Sequence, residues 1–236
     1  MPPKTRWLLV VLFSIAMAWV ESAVVLYLRV LTHRIQPYQS DPLPLLAGVG
    51  QVELVREAAT ILMLLAVGWL AGHTVRSRLA FFTIAFSVWD IFYYVFLIPL
   101  TGWPKSLLDW DILFLLPLPW WGPVIAPVSI SLLLITGCTL VIQFDQPESP
   151  LWPDRRVLAA GMVGAGLALY VFMSDAIRVL DQGADVIRQV LPTAFNWPLF
   201  GLGLALMALP VVNLAVLKRA KSKVPDATGN LLGSQH

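Results

Sequence analysis

Glu21, Glu57 and Asp90 are acids set inside otherwise apolar runs of the chain. A charged side chain at the centre of a bilayer is unfavourable by about 2.5–3.5 kcal/mol on insertion scales. Such residues line a polar interior, pair with a partner or stay protonated, and an ionisable group within a membrane is a functional candidate by default. Three chemistries are open to them. Carboxylate oxygens ligate hard cations such as Ca²⁺, Mg²⁺ or Mn²⁺. A carboxyl group at low dielectric can take up and release a proton near neutrality. Carboxylates beside tryptophans can also hold, and protonate, an amphiphilic or alkene-bearing ligand.

The neighbours of these acids extend the set. Glu53 is four residues before Glu57 and shares its helix face, and Arg56 beside them can neutralise one acid. Tyr93 and Tyr94 follow Asp90 by three and four residues, so at least one phenol shares its face and can donate to it. At a rise of about 1.5 Å per residue, Asp90 falls near mid-span, Glu21 roughly 3 Å outward of it and Glu57 roughly 7 Å outward. Consecutive spans with short connections pack side by side. The expectation is one outward-facing pocket built from Glu21, Glu53, Arg56, Glu57, Asp90, Tyr94 and Asp111, binding a ligand or cation. The alternative is that each acid is tied off separately, on a carbonyl, at a helix contact or by reaching toward water.

Asp111 joins the set from the stretch Gly102–Pro123, where Ser106 and Asp109 match a Ser-x-x-acid helix start and Pro117 would end the helix. The expected product is an outer helix of about ten residues, too short to span, lying on the surface or dipping back as a lid. Asp109 would cap it, leaving Asp111 to point inward. Trp103, Trp120 and Trp121 fit headgroup-level anchors.

Of the 236 residues, 58% are hydrophobic and 13% charged, with a mean hydropathy of +0.76. Soluble domains hold nearer ~45–50% apolar and ~25% charged residues. The expected fold is therefore all-α, a polytopic helix bundle in lipid. About 20 apolar residues cross the hydrocarbon, and six segments qualify: Trp7–Leu31, Gln51–His73, Leu79–Leu100, Val124–Phe144, Val157–Ile177 and Trp197–Leu217. Residues 1–224 read as one membrane domain and 225–236 as a polar, disordered cytoplasmic tail.

Lysine and arginine fall ten to six on the two sides. The richer side holds Lys4, Arg6, Arg76 and Arg78, which places both termini in the cytoplasm of what reads as a bacterial inner-membrane protein. Lys4, Arg6 and the Ala16-Met17-Ala18 run also resemble a signal peptide, but apolar character resumes at Ala23, which favours an uncut anchor. Ala160, Gly164 and Ala168 form a small-residue ridge in span five, as do Gly201 and Ala205 in span six, for close helix contact. An amphipathic surface helix carrying Asp181, Asp185 and Arg188 is expected before Pro192. Asn213 is placed to hydrogen-bond a neighbouring helix.

Several functions lack their residues. His33, His73 and His236 are too far apart in the topology to share a metal, and Cys138 is the lone cysteine. No phosphate loop, Walker motif or nucleophile elbow is present, and no basic patch suits nucleic acid. No motif names a cofactor. The leading expectation is a membrane protein whose carboxylate and aromatic pocket binds a cation, proton or amphiphile. The alternatives are a non-catalytic subunit or assembly factor of a larger membrane redox complex, with other subunits as partners, and a small enzyme acting on a lipid or isoprenoid. A secondary transporter is disfavoured because the two halves do not look alike.

Overall fold

The computed structural model describes residues 1–33, 49–143 and 153–222. Among these are six long helices: α1 (Pro3–Leu31), α2 (Val49–Ala71), α3 (Val75–Thr101), α4 (Ile125–Gln143), α5 (Arg155–Ile177) and, after the short α6 (Ala184–Arg188), α7 (Trp197–Ser222). The six long ones are apolar enough to cross a membrane. The chain is a multi-pass integral membrane protein in a lipid environment, and an all-α bundle apart from one small hairpin. The tail expected to be disordered lies outside the described residues.

The hairpin replaces the outer helix expected between α3 and α4. Strands β1 (Trp110–Phe114) and β2 (Trp120–Pro123) pair antiparallel, with Asp111 opposite Gly122 and Ile112 opposite Trp121. Two local facts explain the difference. The Asp109 carboxylate accepts the amides of Lys105 (2.7 Å) and Ser106 (3.2 Å), which lie behind it, so the Ser-x-x-acid pattern closes a turn instead of opening a helix. The Trp-Asp-Ile-Leu-Phe run is then rich in strand formers, and Pro117 and Pro119 sit in the reversal, where no ladder amide is needed.

The surface helix expected before Pro192 is also shorter than its pattern. Gly183 adopts φ +94, a conformation no helix continues through, and it separates a 3-10 turn at Leu180–Gln182 from α6.

Helix α3 is the centre of the bundle, packed on α1, α2 and α4; α5 packs on α7, and α7 on α4. The end that carries the hairpin is called the hairpin face. At the opposite face Arg6 donates to the Ala71 carbonyl (2.7 Å) and the Trp7 indole donates to Thr139 (3.1 Å), joining α1 to α2 and α4. Thr74 and Ser77 cap α3 reciprocally and fix the tight α2–α3 connection. Apolar packing gains little from water exclusion in lipid, so small and hydroxylated residues face inward. Ser14 and Ser22 are fully buried and donate to the carbonyls four residues back. Ser22 also reaches the Tyr93 carbonyl of α3 (3.1 Å). Asn213 of α7 accepts from the Asp154 amide (3.3 Å) at the start of α5.

The small-residue ridge of α5 is an internal contact. A Cβ on Gly164 would stand 2.4 Å from the Gly203 carbonyl oxygen of α7. Substituting Gly164→Leu therefore overpacks the α5–α7 seam, with an expected loss of roughly 1–3 kcal/mol. A thermal-shift assay in detergent should show a lowered midpoint, and size-exclusion chromatography an unchanged oligomeric state.

Candidate functional site

The acids sit in the half of the bundle nearest the hairpin, and they meet several different partners. Arg56 of α2 bridges Glu53 on its own helix and Glu21 of α1. Its Nε donates to Glu53 Oε2 at 2.9 Å. Thr60 stands 3.5 Å from the second Glu21 oxygen. Helices α1 and α2 are thus joined by a guanidinium held between two carboxylates, with Glu21 buried.

Glu57 turns away from that group. Both of its oxygens accept the Leu115 backbone amide, at 3.0 and 3.1 Å, just past the end of β1. This ties the hairpin to α2. Glu57 also lines a cleft of about 170 Å³ together with Ile61, Phe86, Phe114, Leu116 and Trp120. The walls are α2, α3 and the hairpin, and five of the six lining side chains are apolar.

Asp90 of α3 lies deeper and accepts from the Ser131 hydroxyl of α4 at 2.8 Å. Asp111 of β1 is the most enclosed acid, at 1% exposure, and faces Arg29 of α1 across 3.6 Å. Arg29 in turn lies over the Trp103 ring, 4.5 Å from its centroid. The Ile112 amide and the Tyr94 hydroxyl are the other favourable neighbours of Asp111, but among the described residues neither carboxylate oxygen has a partner in good hydrogen-bonding geometry. Tyr93 is within electrostatic reach of Asp111, Arg29, Glu21 and Arg56. Burial pushes the Asp111 carboxyl up from its ordinary 3.8 to about 6, with the nearby Arg29 charge opposing that rise.

Glu21, Glu53 and Arg56 therefore come together, as do Tyr94 and Asp111. Glu57 instead binds the Leu115 amide and Asp90 the Ser131 hydroxyl, and among the described residues neither is hydrogen-bonded to those two sets. Of the seven residues, only Glu57 borders the cleft. Among the described residues no three acids, histidines or cysteines converge as metal ligands do.

Four partners escaped the sequence reading. Arg29 lies in the last turn of α1, where a charge ordinarily reaches water, yet it is buried. Thr60 and Ser131 resembled ordinary span hydroxyls. The Leu115 amide has no signature in side-chain type at all.

Comparison with family models, with curated proteins and with solved structures finds no match, so function rests on the geometry of the site.

Two outcomes follow from these pairings. Arg56→Met leaves Glu21 buried beside Glu53 without a cation, and breaking a buried pair from one side costs about 3–5 kcal/mol. The Glu21→Gln/Arg56→Met double variant should recover part of that loss, as read by thermal midpoints. For Asp111 the fold prefers the neutral acid, so stability is greatest at low pH and falls as pH rises from about 4 through about 6. The gap between 3.8 and about 6 corresponds to roughly 3 kcal/mol. Unfolding measured from pH 4 to 8 should show a smaller decline for Asp111→Asn than for the unsubstituted protein.

Proposed function

We propose that the protein binds an amphiphilic ligand from the membrane, with its apolar body in the cleft beneath the hairpin and a hydrogen-bond-donating or cationic head on Glu57. The supporting observation is the composition of that cleft: one carboxylate among Ile61, Phe86, Phe114, Leu116 and Trp120. A carboxylate offers about four acceptor positions, and the single Leu115 amide leaves most of them for a ligand. Sites of this kind, largely apolar with one polar group that fixes orientation, are the usual form for small hydrophobic ligands.

A cation alone is a weaker fit, because one carboxylate in an apolar cleft provides few of the six or more oxygens that Ca²⁺ takes. The excess of lysine and arginine at the opposite face favours cytoplasmic termini, which puts the cleft in the outer half of the membrane. There it would be filled from the outer leaflet or from the outside.

A long-chain amine bearing a photoactivatable diazirine tests the reading. Crosslinks should map by mass spectrometry to the hairpin around Phe114–Trp120 and to the α2 turn around Ile61. Ile61→Trp, which fills the cleft, should suppress that labelling at least several-fold. Labelling spread evenly over exposed positions such as Leu62 and Leu70, and indifferent to Ile61→Trp, would contradict the proposal.

A further inference from the structure

A second cavity lies between the end of α5 and the start of α7, also at the hairpin face. Its volume is about 540 Å³, and its lining includes Tyr170, Ser174, Arg178, Thr193, Phe195 and Asn196. The composition differs from that of the Glu57 cleft, since a cation, three hydroxyls and an amide share the wall with two aromatic rings, one of them the Tyr170 phenol.

Arg178 is braced in place. Asp175, buried at 4% exposure, pairs with its Nη2. Thr193 accepts from the same nitrogen at 2.7 Å and donates to Asp175 at 2.9 Å. Both bonds use Nη2, so Nη1 and Nε have no partner among the described residues, and the side chain is 58% exposed. A planar guanidinium so fixed presents a donor fork matched to phosphate oxygens.

Asn196 adds to it. Its Oδ1 caps the Leu199 amide at 3.1 Å, which leaves the side-chain NH₂ as a donor. The first amides of α7 are occupied by Phe195, Asn196 and that cap, so side chains rather than the bare helix end would do the binding. Tyr170 and Trp197, about half exposed, mark the depth at which aromatic rings meet headgroups.

We infer that this cavity is a headgroup site, in which Arg178 and Asn196 hold the phosphate ester of a membrane phospholipid whose acyl chains run along α5 past Tyr170. It is separate from the Glu57 cleft and does not depend on the ligand proposed there. Phosphate is the recognised chemistry, and its source is distinguished by the choice of probe.

The test is native mass spectrometry of the full chain in detergent, titrated with phosphatidylglycerol, with glycerol 3-phosphate or with inorganic phosphate. One phospholipid should remain bound at collision energies that strip the others. Arg178→Gln should weaken that binding about tenfold, the effect of losing a charged hydrogen-bonding partner. Arg155→Gln, the same charge change at an exposed position on the opposite face, should leave it unchanged. Because Arg178→Gln also unpairs Asp175, Ala194→Trp provides a second variant, filling the cavity from an exposed wall position while sparing the Arg178, Asp175 and Thr193 contacts. It too should weaken the retained lipid's binding, with an unchanged thermal midpoint. Retention equal to the unsubstituted protein in Ala194→Trp, or equal losses in Arg178→Gln and Arg155→Gln, would overturn the inference. Inorganic phosphate or glycerol 3-phosphate binding as tightly as the lipid would overturn the lipid source and leave a soluble phosphate as the ligand.

Discussion

Where no water is at hand, a buried charge or amide has to find its partner within the protein, and that constraint organises this bundle. The contacts that satisfy it each join two elements. Arg56 links α2 to Glu21 of α1, Ser131 of α4 links to Asp90 of α3, Arg29 of α1 faces Asp111 of β1, and Glu57 of α2 holds the amide after β1. Apolar side chains pack equally well against lipid and against one another, so they specify helix neighbours weakly. The polar links select the neighbours and set the registers at which helices meet. Two of the four end on the hairpin, which makes it part of the bundle's interior and not an appendage of the surface.

The hairpin also carries an aromatic bridge. Phe114 stacks on Phe86 of α3, with centroids 6.0 Å apart, and packs on Trp120 at 5.4 Å. Trp120 lies parallel to Phe172 of α5, which reaches Phe195 and Phe200. Gly122 makes this possible, because a Cβ there would stand 2.8 Å from the Phe172 ring. The two groups of helices, α1 to α4 and α5 with α7, are thus connected beneath the hairpin by stacked rings. The Glu57 cleft borders this wall through Phe114 and Trp120, and the Arg178 cavity borders it through Phe195. The wall thus has an acid at one cleft and a cation at the other cavity.

Hydrophobic length made the six spans legible in the sequence, and their ends shifted by only a few residues on folding, as with α3, which begins at Val75 and not at Leu79. The chemistry was legible as residue types at similar depth, and Arg56 was identifiable as a neutralising group from its spacing. Pairing was not legible. Glu53 and Glu57 share a helix face, yet one joins Arg56 and the other the hairpin, and that choice is made by a backbone amide 58 residues away. The hairpin itself was obscured because a serine and an acid three residues apart serve turns as well as helix starts. Its strand formers and paired tryptophans carried the opposing signal, in a run too short for periodicity to decide.

The account turns on Glu57 serving as the polar end of an apolar, ligand-holding cleft roofed by the hairpin. The most direct measurement is a cryo-electron microscopy map of the protein extracted with its native lipids into nanodiscs. The account predicts elongated non-protein density along Phe86, Phe114 and Trp120, with one end within hydrogen-bonding distance of the Glu57 carboxylate. A cleft closed by direct contact of those rings, with no density beside Glu57, would contradict it.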